Sequence, residues 1–283
     1  MLEHEVPNGS KLYFAKSAKL KRDIENIASD ILSKNGFSEI LTPIFSYHQH
    51  SSIADTKELI KVSDESNSHV TLRADSTLDV VRIIQKRLGR NSEQKKWFYI
   101  QPVYSYPTTE QYQIGSEHIG ESELSGMLEI MIDIFAKLEL EPLMQISNIK
   151  IPQIINSMYS SLTLDDFVHV NIEKFLKQDE PWLKKLVYMQ SIEQLDEALE
   201  IVPEAIKKEL LKMRELALSI GYKNLVLAPL YYTDMLYYDE LYFRVIDKNE
   251  TLASGGRYSN DGVDSVGFAI YTDTLIELKN IQG

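Results

Sequence analysis

Two strand-like segments joined by a short turn constrain the fold of this chain more than any other part of its sequence. Both segments are rich in aromatic and β-branched residues, which favour strands, and a proline with two threonines interrupts them. The segments are Trp97–Tyr104 and Tyr112–Glu117, and the turn residues are Pro107, Thr108 and Thr109. This order predicts a hairpin, in which alternate side chains of each strand point to the same face.

The returning strand of the hairpin is predicted to carry polar groups on one face. Gln113 and Glu117 are four residues apart, and an even spacing places two side chains on the same side of a strand. A shorter strand-like run begins at His69 and ends in a loop that carries Asp75 and Thr77. We expect this loop to lie beside the hairpin, which would bring together enough hydrogen-bond acceptors for an ammonium group.

Helical patterns surround these strands. Apolar residues recur at steps of three and four in several segments, which is typical of amphipathic helices. The clearest stripes are Leu20, Ile24, Ile27 and Ile31, then Val80, Val81, Ile83, Ile84 and Leu88, and then Leu124, Leu128, Met131, Phe135 and Leu138. From about residue 165 to 220 the composition is strongly helical, and we interpret this stretch as a helical insertion packed on the sheet. We expect four charged residues of this stretch to form a solvated face, namely Lys207, Lys208, Glu209 and Lys212.

Turn and strand residues give further local predictions. Residues Gly36–Phe45 are predicted to form one strand closed by Pro43. The polar stretch Ser51–Ser68 is predicted to be an exposed loop with a single helical turn. The paired glycines Gly255 and Gly256 allow positive φ values and a close approach of neighbouring backbones.

Composition narrows the classes of function. Acidic residues outnumber basic ones by 42 to 30, which gives a formal net charge of −12. Nucleic-acid binders usually carry a basic field, because phosphate contacts supply most of their non-specific affinity, so we expect no nucleic-acid partner. No apolar run approaches the ~20 residues that span a bilayer, and no pattern resembles a signal peptide. We therefore expect a cytoplasmic protein without a membrane contact.

Metal and cofactor sites are not indicated. The chain has no cysteine, which excludes disulfides, thiol nucleophiles and cysteine-based zinc sites. His48 and His50 suggest a metal pair, but no third ligand lies at a known ligand spacing, so a solvated loop is the better interpretation. We expect no metal and no cofactor.

Several separated motifs together resemble the class II aminoacyl-tRNA synthetase fold in its histidine-specific branch. The motifs are Leu72-Arg73-x-Asp75-x-Thr77, Gln113-x-Gly115-x-Glu117, Tyr237-Tyr238 and Gly255-Gly256-Arg257-Tyr258. The resemblance implies an α+β fold, with a class II aminoacyl-tRNA synthetase-like core, a mainly antiparallel sheet flanked by helices, and the helical insertion at about 165–220. It implies a single domain over residues 1–283 without an anticodon-binding domain. The segment around Gly36–Phe45 resembles the first class II motif, which forms the homodimer interface in that family.

The resemblance also implies an amino-acid pocket. Carried over position by position, the groups that would meet a histidine-like ligand are Asp75, Thr77, Gln113, Glu117, Tyr238 and Tyr258. Histidyl-tRNA synthetases carry a glutamate at the position of Asp75. The aspartate is more similar to the synthetase paralogues that serve as regulatory subunits of ATP phosphoribosyltransferase.

Three arginines of the synthetase family are replaced at the matching positions. These positions hold Ser105, Thr233 and Thr274. Adenylation develops charge on a phosphate, which guanidinium groups stabilise in the transition state. At roughly 1.5–3 kcal/mol for each charge-assisted contact, losing three would raise the barrier by about 4–9 kcal/mol. We therefore expect a protein that is not an enzyme.

The resemblance predicts a non-catalytic regulatory subunit of ATP phosphoribosyltransferase. In that family the subunit activates a short catalytic subunit and mediates histidine feedback in the first step of histidine biosynthesis. L-Histidine is the possible ligand, and a homodimer within a hetero-oligomer is the expected assembly. Two alternatives stay open at this point: a synthetase-like binding module for another protein, and an active class II ligase or aminoacyl-adenylating enzyme.

Overall fold

This computed structural model describes residues 5–47, 49, 56–88, 93–233 and 235–282, with backbone alone at 280–282. Within these residues the main sheet has eight strands. In spatial order they are β1 (Ser38–Glu39), β5 (Lys96–Ser105), β6 (Thr109–Ile119), β11 (Val263–Tyr271), β10 (Glu250–Asn260), β9 (Tyr238–Asp247), β7 (Leu143–Asn148) and β8 (Leu225–Leu227). In this described sheet the outer pairs β1–β5 and β7–β8 are parallel, and the five inner pairings are antiparallel. The predicted α+β architecture with a mainly antiparallel sheet is confirmed.

The predicted hairpin is present as β5 and β6. Its register runs from Ser105 opposite Thr109 to Lys96 opposite His118. On its other edge β6 pairs with β11, so that Glu117 lies opposite Gly267. The hairpin is therefore continuous with the strands of the chain's last third, which brings distant motifs onto one sheet.

A small second sheet precedes the hairpin, and two local predictions are wrong there. It contains β2 (Phe45–Ser46), β4 (His69–Leu72) and β3 (Lys61–Ser63) in that order, so the predicted loop includes a strand after its 3₁₀ turn at Thr56–Glu58. β3 has a single apolar residue, which leaves no alternation to detect.

The stretch predicted as one strand, Gly36–Phe45, is instead interrupted after Glu39. Pro43 lacks an N–H for a sheet ladder. The guanidinium of Arg73 takes the carbonyl oxygens of Thr42 at 3.0 Å and Pro43 at 3.1 Å, so these groups are not available to a neighbouring strand.

Helices cover the sheet, and the first three of them lie where the apolar stripes predicted them. They are α1 (Ala15–Lys34), α2 (Thr77–Ile83) with a π-helical turn at Ile84–Leu88, α3 (Ser125–Lys137), α4 (Lys150–Met158) and α10 (Thr272–Gln282). All five residues of the predicted α3 stripe are buried, whereas α1 buries Ile24, Ala28 and Leu32 most deeply. α1 ends at Lys34, and Gly36 follows with φ of +83°, a conformation that glycine adopts readily.

The helical stretch predicted at about 165–220 contains five helices. They are α5 (Leu164–Val168), α6 (Ile172–Leu176), α7 (Pro181–Tyr188), α8 (Ile192–Ala198) and α9 (Glu204–Ile220). Phe167 and Phe175 stack at 4.7 Å between ring centroids, and both belong to the same buried cluster as Phe243 of the sheet. α9 packs directly on β7, which places this helical layer against the sheet.

The predicted solvated face of α9 is wrong for two of its residues. Glu209 is buried, and its carboxylate accepts a hydrogen bond from the Asn148 amide at 3.0 Å. Lys212 forms ion pairs with Glu209 and with Glu240 of β9. A run of charges in the sequence does not reveal which members face the sheet, because carboxylates and lysines that pair with each other can be buried together.

Candidate functional site

A cavity of about 770 Å³ opens on the sheet face that β6, β10 and β11 form. Four of the six predicted binding residues line it, namely Asp75, Thr77, Gln113 and Tyr238. The other two, Glu117 and Tyr258, are fully buried directly behind this lining. Hydrogen bonds and ring contacts connect Glu117 and Tyr258 to the lining, so the structure brings the predicted residues together.

Glu117 is the most deeply buried carboxyl group of this cluster. The Tyr258 hydroxyl donates to its Oε2 at 2.6 Å, and the Tyr99 hydroxyl lies 3.4 Å from its Oε1. Burial raises the pKa of Glu117 to about 8, although hydrogen bonds from Tyr258 and Thr77 partly oppose that rise. Hydroxyl groups alone do not compensate a buried negative charge, so burial dominates and favours the protonated form of this group.

Glycines make the space that the buried carboxyl group occupies. A Cβ atom at Gly267 would overlap the Glu117 carboxylate, and one at Gly115 would overlap the ring of Tyr99. Gly256 makes a similar close approach to Leu241 on β9. The predicted role of the glycine pair in close backbone approach is therefore confirmed. The positive φ that glycines also allow is not used, because Gly255 and Gly256 lie inside β10 and neither is among the positive-φ glycines.

Asp75 is held at the entrance to α2. Its Oδ2 accepts from the Leu78 N–H at 3.1 Å, and its Oδ1 accepts from the Tyr237 hydroxyl at 3.3 Å. Burial is the largest cause that raises the pKa of Asp75 to about 6, and the neighbouring Asp79 raises it further. Asp75 and Glu117 thus share one environment, in which both carboxyl groups lack a cationic partner among the described residues.

Gln49 fixes the loop that carries Asp75, and nothing in the sequence pattern indicated it. Its Oε1 accepts from the N–H groups of Ala74 at 2.9 Å and Asp75 at 2.6 Å. Its Nε2 donates to the Asp75 carbonyl at 2.9 Å and to Asp79 at 2.6 Å. Its neighbours His48 and His50 lie outside the described residues.

Tyr237 was also missed, because only the second tyrosine of the Tyr237-Tyr238 pair was predicted to face the ligand. Both rings line the cavity, and Tyr237 is the one that donates to Asp75. Tyr238 packs on Tyr242 at 4.9 Å between centroids and on Tyr258 at 6.4 Å. Tyr237 precedes β9, so the alternation of a strand does not turn it away from its neighbour.

Cations are scarce around this cavity. Its lining contains His169, which follows the last residue of α5, but no lysine or arginine among the residues that are described. Arg73, which lies within the first motif, is almost fully buried and donates to the Pro102 carbonyl at 2.7 Å. Arg257 forms ion pairs with Asp239, Glu240 and Asp264, so both arginines of the resemblance motifs have structural partners.

The three positions that the sequence analysis matched to synthetase arginines lie at different depths. Ser105 lines the cavity at the end of β5. Thr233 is buried, and its Oγ1 accepts from the Met235 N–H at 3.3 Å. Thr274 lies in the first turn of α10 and is half-buried.

Neither a metal site nor a membrane-spanning helix is present in the described part of the chain. No group of three histidine or acidic side chains there has the geometry to hold a metal ion. Within the same residues, no helix combines the length and the apolar character that crossing a bilayer requires.

Comparison with known proteins supports the resemblance independently. A family model described as histidyl-tRNA synthetase matches residues 13–275. An ATP phosphoribosyltransferase regulatory subunit of Wolinella succinogenes is 48% identical, over 100% of this chain and 99% of the relative. A protein of the same name in Helicobacter hepaticus is 42% identical over 98% of both chains.

Solved structures agree on the fold. A protein of Bacillus halodurans described as an ATP phosphoribosyltransferase regulatory subunit/histidyl-tRNA synthetase superimposes with a TM-score of 0.86 at 19% identity, covering 98% of this chain and 83% of that one. A histidine–tRNA ligase subunit of Alicyclobacillus acidocaldarius gives a TM-score of 0.83 at 19% identity, covering 99% and 98%. With full-length relatives above 40% identity, the chain belongs to the family of histidyl-tRNA synthetase-like ATP phosphoribosyltransferase regulatory subunits.

Proposed function

We propose that this chain is a non-catalytic subunit that activates a short ATP phosphoribosyltransferase chain and makes it sensitive to histidine. The names of its full-length relatives support the regulatory role. The observation that carries the proposal is the cavity itself, which has a buried carboxyl cluster at one side and no lysine or arginine in its described lining. Such a site favours a small cationic or zwitterionic ligand over a nucleotide triphosphate.

The buried carboxyl groups explain why an amino acid would bind. Asp75 and Glu117 have raised pKa values because burial disfavours their charged forms. An ammonium or imidazole group placed between them supplies both a charge partner and hydrogen-bond donors, which offsets that cost. The cavity volume of about 770 Å³ also falls within the range of about 300–1,000 Å³ that is usual for small-molecule pockets.

The proposed absence of catalysis rests on the positions that the sequence analysis matched to synthetase arginines. Adenylation would require cationic groups at the phosphates of ATP. The matching positions hold Ser105, Thr233 and Thr274, and Arg73 is occupied by backbone carbonyl groups. We therefore expect no ATP–pyrophosphate exchange with any amino acid.

An exposed apolar surface supports the proposed assembly as a homodimer within a hetero-oligomer. The segment after α1, which resembles the first class II motif, exposes 72% of Leu41 and 60% of Phe45. Ile44 and Tyr47 of the same segment are also exposed. Contiguous apolar side chains at a surface are typical of protein–protein contacts.

Co-purification tests this proposal most simply. The tagged chain is expressed with the short catalytic chain from the same genome, and phosphoribosyl transfer to ATP is measured with and without it. We expect the two chains to purify together and the rate to rise when this chain is present. A matched Asp179→Asn variant, whose altered carboxylate is exposed and pairs with Lys184, should behave as the wild type. Failure to co-purify together with an unchanged rate would favour the binding-module alternative.

A further inference from the structure

An arginine on the pocket face of the sheet has no carboxylate partner among the described residues. Arg244 lies on β9 two residues after Tyr242, so the two side chains share a face. Tyr242 packs on Tyr238, which lines the cavity. The ring of Tyr231 stacks on Tyr242 and also lies 3.9 Å from the Arg244 guanidinium carbon. Arg244 therefore belongs to the pocket side of the sheet.

The hydrogen-bonding capacity of Arg244 is only partly used. Its Nη2 donates to the Gln145 amide oxygen at 3.1 Å, while its buried Nε has no hydrogen-bond partner among the described residues. In that part of the chain it forms no ion pair, whereas Arg257 pairs with three carboxylates and Arg214 with Asp196. Stacking on a tyrosine compensates a guanidinium only in part, so an incoming anion would be bound favourably.

Two hydroxyl groups connect Arg244 to the cavity. Ser254 is its register partner on β10, and the Ser254 hydroxyl lies 2.7 Å from the Tyr271 hydroxyl. Both Ser254 and Tyr271 line the cavity. Burial raises the pKa of Tyr271 and the charge of Asp75 raises it further, while the hydrogen bond with Ser254 and, to a smaller extent, the charge of Arg244 lower it.

The separation between the row of Glu117 and the Ser254–Tyr271 pair is similar to the length of an amino acid. Gly267 connects Glu117 on β6 with Gly256 on β10 in one row across the sheet. Ser254 lies two residues from Gly256, and two strand residues span about 7 Å. The Ser254–Tyr271 pair thus lies one strand repeat, about 7 Å, from the row that carries Glu117, and one histidine molecule can span that separation.

We propose that Ser254, Tyr271 and Arg244 form an anion subsite that receives the carboxylate of an α-amino acid. The two hydroxyl groups donate to the carboxylate, and Arg244 supplies the positive charge behind them as a positioning residue. The proposal rests on the proposed function, because it takes an amino acid as the ligand. It differs from the expectation of the resemblance, in which arginines at the positions of Ser105, Thr233 and Thr274 would face the carboxylate and phosphates.

Calorimetry with two ligands tests the subsite on the purified full-length chain. L-Histidine carries the carboxylate, and L-histidinol has a neutral alcohol in its place. We expect the wild type to prefer L-histidine by about 10-fold or more, the usual worth of a charge-assisted contact. Arg244→Met should reduce that preference to within about 3-fold by weakening L-histidine binding alone. Arg214→Met removes an arginine charge from the helical layer and should keep the wild-type preference.

The outcomes separate this inference from the proposed function. Equal weakening of both ligands by Arg244→Met, or a wild type without preference, would overturn the subsite and leave histidine sensing intact. Binding of neither ligand by the wild type would overturn both. Binding of AMP that is lost in Arg244→Met would assign the subsite to a phosphate instead. If Arg244→Met does not fold, Arg244→Lys keeps the charge without the guanidinium and should lower the preference only in part.

Discussion

Two clusters of acidic side chains lie on opposite faces of the same sheet. The pocket carboxyls, Asp75 and Glu117, are surrounded by tyrosine and threonine hydroxyl groups. The paired carboxylates, Glu209 and Glu240, lie on the other face against α9, where Lys212 forms ion pairs with both. Alternation along β9 alone would place Glu240 beside Tyr238 and Tyr242, but the register of β9 against β10 is irregular between Gly256 and Tyr258, and Glu240 pairs with Arg257 and Lys212 instead.

Opposite pKa shifts follow from this difference. Burial tends to raise the pKa of Glu240, but hydrogen bonds from Lys212 and Lys150 outweigh burial and lower it. For Glu117 burial dominates, and the pKa rises to about 8. The paired carboxylates Glu209 and Glu240 have a cationic partner, Lys212, within the chain. The pocket carboxyls have no such partner among the described residues, so a bound ligand would have to supply the positive charge. This contrast is the physical basis for proposing a ligand at the pocket.

Filling the space behind the pocket carboxyls should have the largest effect. A Cβ atom at Gly267 would overlap the Glu117 carboxylate, so Gly267→Ala should destabilise the chain by about 3 kcal/mol and abolish L-histidine binding. Gly126→Ala is the control, because nothing lies within 4 Å of its added Cβ, and it should change stability by less than about 1 kcal/mol. Chemical denaturation measures both. A Gly267→Ala variant with wild-type stability and wild-type L-histidine binding would contradict the described packing.

Removing a paired carboxylate should cost more stability than removing a pocket carboxyl. Glu240→Gln leaves Lys150, Lys212 and Arg257 without a shared anion, and we expect a loss of about 2 kcal/mol, since this cluster is partly open to solvent. Glu117→Gln should lose less than about 1 kcal/mol near pH 6, where Glu117 is already neutral. Glu197→Gln, from an exposed pair with Lys185, should be nearly silent. Denaturation curves that rank Glu117→Gln above Glu240→Gln would reverse the comparison.

Stability should fall with rising pH because of the pocket carboxyls. A carboxyl group whose pKa is raised in the folded state binds more protons there than in the unfolded state, so the free energy of unfolding decreases as pH rises towards the folded pKa of about 8. One such group contributes a slope of at most about 1.4 kcal/mol per pH unit. Glu117→Gln should flatten this decline between about pH 5 and 8. An identical slope in wild type and variant would show that Glu117 ionises normally.

Removing one hydroxyl at the pocket should have the smallest effect. Tyr237→Phe deletes the donor to Asp75, and we expect a loss of about 0.5–1.5 kcal/mol in L-histidine binding. Tyr188→Phe, at an exposed position of α7, is the control. If calorimetry finds the same affinity for L-histidine in Tyr237→Phe and the wild type, Tyr237 does not contribute to the site, and Tyr238 is the tyrosine of the pair that faces the ligand.

Patterns with a short period predicted much of this molecule. Alternation placed Gln113 and Glu117 on one strand, and the apolar stripe from Leu124 to Leu138 gave α3 in full. Contacts that depend on tertiary packing were missed. Gln49 fixes the Asp75 loop from a segment without periodicity. Tyr99, which was predicted only as a member of a strand, passes over Gly115 to reach Glu117.

Charge patterns were the least informative. Glu209 looked solvated beside three lysines, yet the inward face of α9 buries it. Arg244 is not part of any sequence motif. It was singled out because its Nε has no hydrogen-bond partner among the described residues, and this becomes visible only when its neighbours on β7 and β10 are known.

The central claim is that the pocket carboxyls recognise histidine on behalf of a catalytic partner. Inhibition of phosphoribosyl transfer by L-histidine in the assembled complex tests it directly, with Glu117→Gln compared against the wild type. The account predicts inhibition of the wild-type complex and a shift of the inhibition curve to about 10-fold or higher histidine concentrations in the variant, since one charge-assisted contact is lost. Equal inhibition of both complexes, or none in the wild type, would contradict it.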